Sequence, residues 1–249
     1  MITFDQVTKV YNGGWLALDK ASFSIDPGEF VLLTGASGAG KSTILRLIYM
    51  DEAPDTGEVS IVFGDGEEYR SGKRPSRGRI QKLRRRLGIV FQDFKLLSDR
   101  TIFENVALAL RAANVPEARV KQRVFEVLTM VRLSAKARRF PHELSGGEQQ
   151  RAAIARAMAN DPEIVLADEP TGNLDSETSV EILRIFHDIH LTGVAVLMAT
   201  HDELLTGNLP VRRLCLDRGV LTDIPGTYTR PAAHEDEDAP ETPDSGLSS

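Results

Sequence analysis

The string Gly35-Ala36-Ser37-Gly38-Ala39-Gly40-Lys41-Ser42 constrains this chain more than any other feature. A continuous apolar run, Phe30-Val31-Leu32-Leu33-Thr34, precedes it and suits a strand buried on both faces. The residues after it, with Leu45, Leu47 and Ile48, read as an apolar helix. Strand, glycine-rich turn and helix together open a βαβ unit of a parallel sheet. The spacing fits a phosphate-binding loop at every defined position. Glycine is needed because backbone N–H groups must wrap closely around phosphate oxygens, while the helix aims its N-terminal dipole at the same anion. Gly35, Ala36, Ser37, Gly38, Ala39 and Gly40 are thus expected to line bound phosphates. Lys41 would reach the β- and γ-phosphates of ATP, the Ser42 hydroxyl would ligate Mg²⁺, and Thr43 would lie beside them.

A second string supplies acids. Ile164-Val165-Leu166-Ala167-Asp168-Glu169 is an apolar strand ending in adjacent carboxylates, and such strand ends face the ligand crevice of an open parallel sheet. Asp168 is expected to hold Mg²⁺ through water, and Glu169 to take a proton from an attacking water. A third string, Leu144-Ser145-Gly146-Gly147-Glu148-Gln149-Gln150-Arg151, is a glycine-containing turn feeding a helix. It reads either as a second anion-binding helix start or as a plain capping box of Ser145 and Glu148.

Around these strings the first thirty residues alternate apolar and polar, broken by Asn12-Gly13-Gly14 and Asp26-Pro27-Gly28, the pattern of antiparallel strands. Val59–Phe63 and Leu87–Phe91 read as further strands. The pattern turns helical from about Phe103 to Arg138. A second α/β stretch follows, with helices at about Glu148–Asn160 and Glu177–His190 and strands at Ile164–Ala167 and Val194–Ala199. The expected fold is α/β, a mostly parallel sheet core with an antiparallel β-subdomain and an inserted helical subdomain at about 94–143.

Together these strings resemble the ABC ATPase family of the P-loop NTPase fold, over about Met1 to Leu221. The resemblance implies an ATPase and further site residues. Gln92 matches the glutamine that senses Mg²⁺ and the coupling partner, and His201 matches the histidine that contacts the γ-phosphate. Asn173-Leu174-Asp175 matches the loop that crosses the dimer interface. Tyr11 matches the aromatic that stacks on adenine, with Trp15 close enough to compete for that role. The resemblance also implies a head-to-tail homodimer, with ATP held between the phosphate loop of one subunit and Ser145, Gly146 and Gly147 of the other.

Phe91–Thr101, Glu104-Asn105-Val106-Ala107 and Met198-Ala199-Thr200-His201-Asp202 are similar to the FtsE group within this family. That likeness implies an integral membrane partner of the FtsX type, control of peptidoglycan hydrolysis during cell division, and a peripheral place on the cytoplasmic side of the membrane. Pro170–Asp175 is shared with lipoprotein-releasing and macrolide-export ATPases, so the motor of an exporter stands as the alternative.

Composition narrows the rest. The chain is 41% hydrophobic and 27% charged, ordinary for a globular protein. It lacks the roughly 18 consecutive apolar residues a membrane-crossing helix needs, and its N-terminus lacks a secretory signal pattern. The protein is therefore expected in the cytosol. With neither a long coiled coil nor tandem cassettes, no nucleic-acid partner is expected. The single cysteine, Cys215, reads as a small core residue. Glu235, Asp236, Glu237, Asp238, Glu241 and Asp244 account for the formal charge of −6, so residues 230–249 read as a disordered acidic tail on a neutral domain at 1–229. The basic run from Arg70 to Arg86, part of which reads as an insertion at Gly64–Arg79, suits either anionic lipid or a solvated face.

Overall fold

The computed structural model describes residues 1–73, 75–202 and 209–226. Two sheets organise it. In the first, β1 (Ile2–Tyr11) and β2 (Trp15–Ile25) form a hairpin whose turn uses Gly13 and Gly14 at φ of 92° and 80°, the left-handed backbone that glycine adopts without a Cβ clash. β4 (Thr56–Val62) pairs with β1 and β5 (Glu68–Arg70) with β4, all antiparallel, in the order β2-β1-β4-β5.

The second sheet has the order β10-β9-β3-β8-β7-β6. Its members β3 (Phe30–Thr34), β6 (Leu87–Val90), β7 (Ile164–Asp168), β8 (Ala195–Thr200) and β9 (Arg212–Asp217) run parallel, and β10 (Val220–Ile224) returns antiparallel against β9. The central strands are buried on both faces, which explains their unbroken apolar sequence. Val31 and Leu33 of β3 enter one core, shared with the first sheet and helix α1 (Lys41–Ile48). Phe30 and Leu32 enter the other, beneath α3 (Ile102–Ala112), α4 (Glu117–Met130), α5 (Gly146–Met158) and α6 (Ser176–Leu191). This is the expected parallel core with an antiparallel sheet beside it.

The helical block expected from Phe103 to Arg138 divides into α3 and α4. Asn114 at φ 60° and Pro116 at the start of α4 break the run. The strand expected at Val59–Phe63 begins earlier, at Thr56, where Thr8 of β1 offers it a partner. Cys215 is a correction: it is half-buried rather than a core residue. β9 alternates, sending Leu214 and Leu216 into the core and leaving Cys215 to accept a hydrogen bond from Thr34 Oγ1 at 3.1 Å.

The basic run contains helix α2 (Arg77–Arg85), capped by Ser76, and Arg70, Lys82, Arg84 and Arg86 are paired with acids of the fold. Arg70 meets Glu58 and Glu68, and Lys82 meets Glu67. Arg84 meets Asp51, and Arg86 meets Asp65, Glu67 and Glu163. Exposed Arg77, Arg79 and Arg85 stand outside these pairs, Arg79 donating to the Glu68 carbonyl instead. The arrangement favours a face satisfied by the protein's own acids over one reserved for lipid. Among the described residues no helix is long and apolar enough to cross a membrane. The acidic tail and Arg74 lie outside the described residues.

Candidate functional site

The C-terminal ends of β3 and β7, the start of α1 and the residues after β8 converge on one cavity of ≈ 370 Å³. It is lined by Ser37, Gly38, Gly40, Lys41, Ser42 and Thr43 from the loop and helix α1. Gln92, Glu169 and His201 close one side, and Tyr11, Trp15 and Arg46 the other.

The loop is shaped by glycine where nothing larger fits. Gly40 sits at φ 111°, and a Cβ there would lie 2.5 Å from the Ala17 carbonyl oxygen. Gly35 at φ 148° is barred likewise by the Leu216 carbonyl at 2.3 Å. A Cβ on Gly38, at φ 78°, would meet no atom within 4 Å, so its part is conformational. Helix α1 starts at Gly40 with no side-chain cap and no acid in its first turn. Its first N–H groups are thereby left for an anion.

Lys41 is buried and its Nζ donates to the carbonyls of Gly35 and Ala36 at 2.6 and 3.1 Å. The same ammonium lies 3.1 Å from Glu169 Oε1. The other Glu169 oxygen accepts from the His201 backbone N–H at 3.2 Å and lies 2.8 Å from His201 Nδ1. Glu169 occupies left-handed backbone at φ 49°, so the turn after β7 lifts its side chain between Lys41 and His201. One carboxylate is thus held by a lysine from the loop and a histidine from the end of β8. That arrangement suits a general base held in place by its neighbours.

Beside it the Ser42 hydroxyl donates to Asp168 Oδ1 at 3.1 Å. Burial pushes the Asp168 carboxyl above its ordinary range; the Ser42 hydrogen bond opposes the shift and the Glu169 charge adds to it. A hydroxyl and a carboxylate in contact offer the hard oxygen donors Mg²⁺ prefers. Among the described residues no group of three or more His, Cys, Asp or Glu could cage a metal by itself. The donor set fits an ion that completes its shell with water and phosphate. Gln92 lines the same cavity and is held through its carbonyl by Asn173 Nδ2 at 3.1 Å. Arg156 of α5 donates to the carbonyls of Phe94 and Lys95, fixing the segment that follows Gln92.

The remaining sequence candidates do not line this cavity. Ser145 caps α5, accepting from the Glu148 N–H at 3.3 Å while Glu148 returns a bond to the Ser145 N–H at 3.0 Å, a reciprocal capping box. Gly147 packs against α6, where a Cβ would lie 2.3 Å from Thr178 Cγ2. Asp175 caps α6, and its bonds to the N–H and hydroxyl of Thr178 hold its carboxyl below the ordinary range. One lining residue, Arg46, has no place in the sequence reading. Arg46 had a signal, since it stands four residues after Ser42 on the same helix face. Trp15, the competitor of Tyr11, lines the cavity with it, and the two rings stack 5.2 Å apart.

A family model described as ABC transporter matches residues 18–172. The chain is 47% identical, over 92% of its length and 98% of the relative's, to the cell division ATP-binding protein FtsE of Mycobacterium tuberculosis. The chain belongs to the ABC transporter family. This ABC cassette is also 46% identical to FtsE of Escherichia coli K12, over 89% of its own length and 97% of the relative's. With FtsE of Bacillus subtilis it shares 44% identity, over 89% and 94%. The dimeric, post-hydrolysis structure of the ATP-binding cassette MJ0796 bound to ADP and Pi superposes with a TM-score of 0.78 at 34% identity, covering 90% of this chain and 98% of that one. The cassette is an ATP-binding, ATP-hydrolysing enzyme of the ABC type.

Proposed function

We propose that this cassette is the ATPase of a cell-division complex, coupling ATP hydrolysis to an integral membrane partner of the FtsX type and through it to peptidoglycan hydrolysis. The observation that supports the chemistry is the convergence of Lys41, Glu169 and His201 over a glycine loop, with Ser42 and Asp168 beside them. The likeness to FtsE proteins along almost the whole chain supports the cellular role.

The loop from Gly35 to Gly40 receives the phosphates, and Lys41 exchanges its carboxylate partner for the β- and γ-phosphates. Ser42, Asp168 and Gln92 would hold Mg²⁺, which lessens the charge of the phosphates it contacts. Glu169 takes the proton of the attacking water while His201 keeps the carboxylate oriented and faces the γ-phosphate. Ser145, Gly146 and Gly147 act on the nucleotide of a second copy, and Asp175 lies at that junction. A two-fold axis then brings unlike ends together twice. Attachment to the cytoplasmic side of the membrane comes through the partner.

Two measurements test this. Glu169→Gln should lower phosphate release by about a hundredfold or more while keeping nucleotide binding; turnover within threefold of wild type would remove Glu169 as the base. The same variant, held in its ATP-bound state in native membranes, should co-purify with an FtsX-type subunit identified by mass spectrometry. Recovery of an exporter subunit instead would keep the ATPase and overturn the division role.

A further inference from the structure

Strand β3 ends at the phosphate loop and begins, at Phe30, in a different cavity of ≈ 360 Å³. Val180 and Leu183 of α6 and Leu209 and Val211 ahead of β9 complete apolar walls around Phe30. Val180 and Leu183 stand on the face of α6 outside the core stripe of Ile182, Phe186 and Ile189, and Val180 is 39% exposed. Arg184, one turn after Val180, lies at the rim, exposed and without an ion pair among the described residues.

The described chain ends against this same wall. A Cβ on Gly226 would lie 2.4 Å from the Arg212 nitrogen and 2.5 Å from the Val211 carbonyl carbon, so backbone meets backbone there. Pro225 and Gly226 line an adjoining cavity of ≈ 380 Å³, which shares Phe30, His190 and Val211 with the apolar one. Gly226 therefore delivers the rest of the chain to the edge of the groove. Tyr228, within about 7 Å of extended chain, is the only Phe, Tyr or Trp of residues 227–249. Glu235, Asp236, Glu237 and Asp238 follow it.

We propose that residues 227–238 return over this groove, with Tyr228 seated among Phe30, Leu183 and Val211 and the acidic run facing Arg184. The proposal does not depend on reading the other cavity as the nucleotide site. A phenol suits the place, since its ring is buried while its hydroxyl stays at the wet rim. A segment too acidic to fold alone can still be held on a preformed surface by one aromatic anchor and one charge contact. Its tether to Gly226 makes the contact intramolecular, so a weak interaction suffices to keep it in place. The apolar face is covered from within the chain, and the nucleotide cavity at the other end of β3 is untouched.

The test uses the full-length protein with the photoreactive residue benzoylphenylalanine in place of Tyr228, an aromatic for an aromatic. Products are mapped by mass spectrometry, with a mixture of isotope-labelled and unlabelled protein to separate capture within a chain from capture between chains. Capture of Val180, Leu183, Leu209 or Val211 of the same chain is expected. Capture of residues 203–208, of another surface, of a second copy or of nothing would overturn the proposal. Val180→Glu should lower the groove products about fivefold or more, and equal yield would overturn the apolar seat. Arg184→Glu should lower them about threefold while Arg184→Lys preserves them; an unchanged yield in Arg184→Glu would overturn the charge contact. In the unmodified protein, amides 228–230 should exchange hydrogen at least about threefold more slowly than in a free peptide of residues 227–238, and equal rates would also sink the idea. ATP hydrolysis should stay within about twofold in each variant. A variant that melts as the wild type does but loses hydrolysis would overturn the separation of this groove from the nucleotide cavity.

Discussion

Two helices of this cassette begin at glycine-rich turns, and they begin in opposite ways. Helix α1 starts at a left-handed glycine with no side-chain cap and no acid in its first turn. Helix α5 starts at Ser145 with a capping box that satisfies the Glu148 and Ser145 N–H groups, and Lys136 and the Ser145 N–H hold the Glu148 carboxyl below its ordinary range. The first end has no side-chain cap and suits an anion, whereas the second carries a reciprocal cap of its own side chains. A glycine before a helix is therefore not enough to define an anion site in a single chain; the absence of a competing cap matters as much. The proposed function then leads us to expect that the isolated cassette binds nucleotide through α1, and that the α5 end acts only on the nucleotide of a second copy.

The comparison breaks most easily on affinity. Lys41→Ala should weaken ADP binding by about thirtyfold or more, the loss of one charge-assisted contact of ~2 kcal/mol, whereas Ser145→Ala should leave affinity of the isolated cassette within about twofold. Calorimetry on the two variants checks this. A large loss in Ser145→Ala at concentrations where the protein is monomeric would show the second end already at work.

Stability should reverse the order of the two ends. Ser145→Ala removes a cap and should cost about 1 kcal/mol, lowering the melting temperature by ~2–4 °C, while side-chain changes at Lys41 remove no cap. Thermal unfolding followed by circular dichroism would measure it. An unaltered melting point would mean the capping box contributes nothing in solution.

The smallest effect sharpens the open end. A folded-state pKa raised by burial means that folded Asp168 retains a proton the unfolded chain has released. Its contribution is fully favourable below the ordinary carboxylate range and is lost as pH climbs through the raised value. Asp168→Asn should therefore melt slightly above wild type at neutral pH without Mg²⁺, with the gap closing as pH falls below the ordinary carboxylate range. Adding Mg²⁺ and ADP should stabilise the wild type more than the variant.

Much of this was legible in order along the chain. The run Phe30–Thr34, the loop and the start of α1 are local, so spacing alone placed them. The Ser145 and Glu148 box was legible for the same reason. What escaped depends on residues far apart in sequence. Nothing near Glu52 signals that it receives the Tyr11 hydroxyl, forty-one positions away. Nothing local shows that Arg84 of α2 and Arg86 after it are paired, because their partners Asp51, Asp65 and Glu163 come from elsewhere in the chain. The break inside the helical block has no mark in the hydrophobic pattern, which gives the block as helical but not where the backbone turns at Asn114. The strand order of the larger sheet, with β3 between β8 and β9, has no local signature at all.

The left-handed backbone at Glu169 carries a consequence for how this protein can change over generations. A glutamate held at φ 49° costs the fold free energy, and glycine or asparagine would relieve it at once. Screening variants for heat resistance alone should therefore enrich replacements at the position the proposed mechanism can least spare. Selection for durability and selection for work pull against each other at this residue, and its persistence would be a record of which one has prevailed.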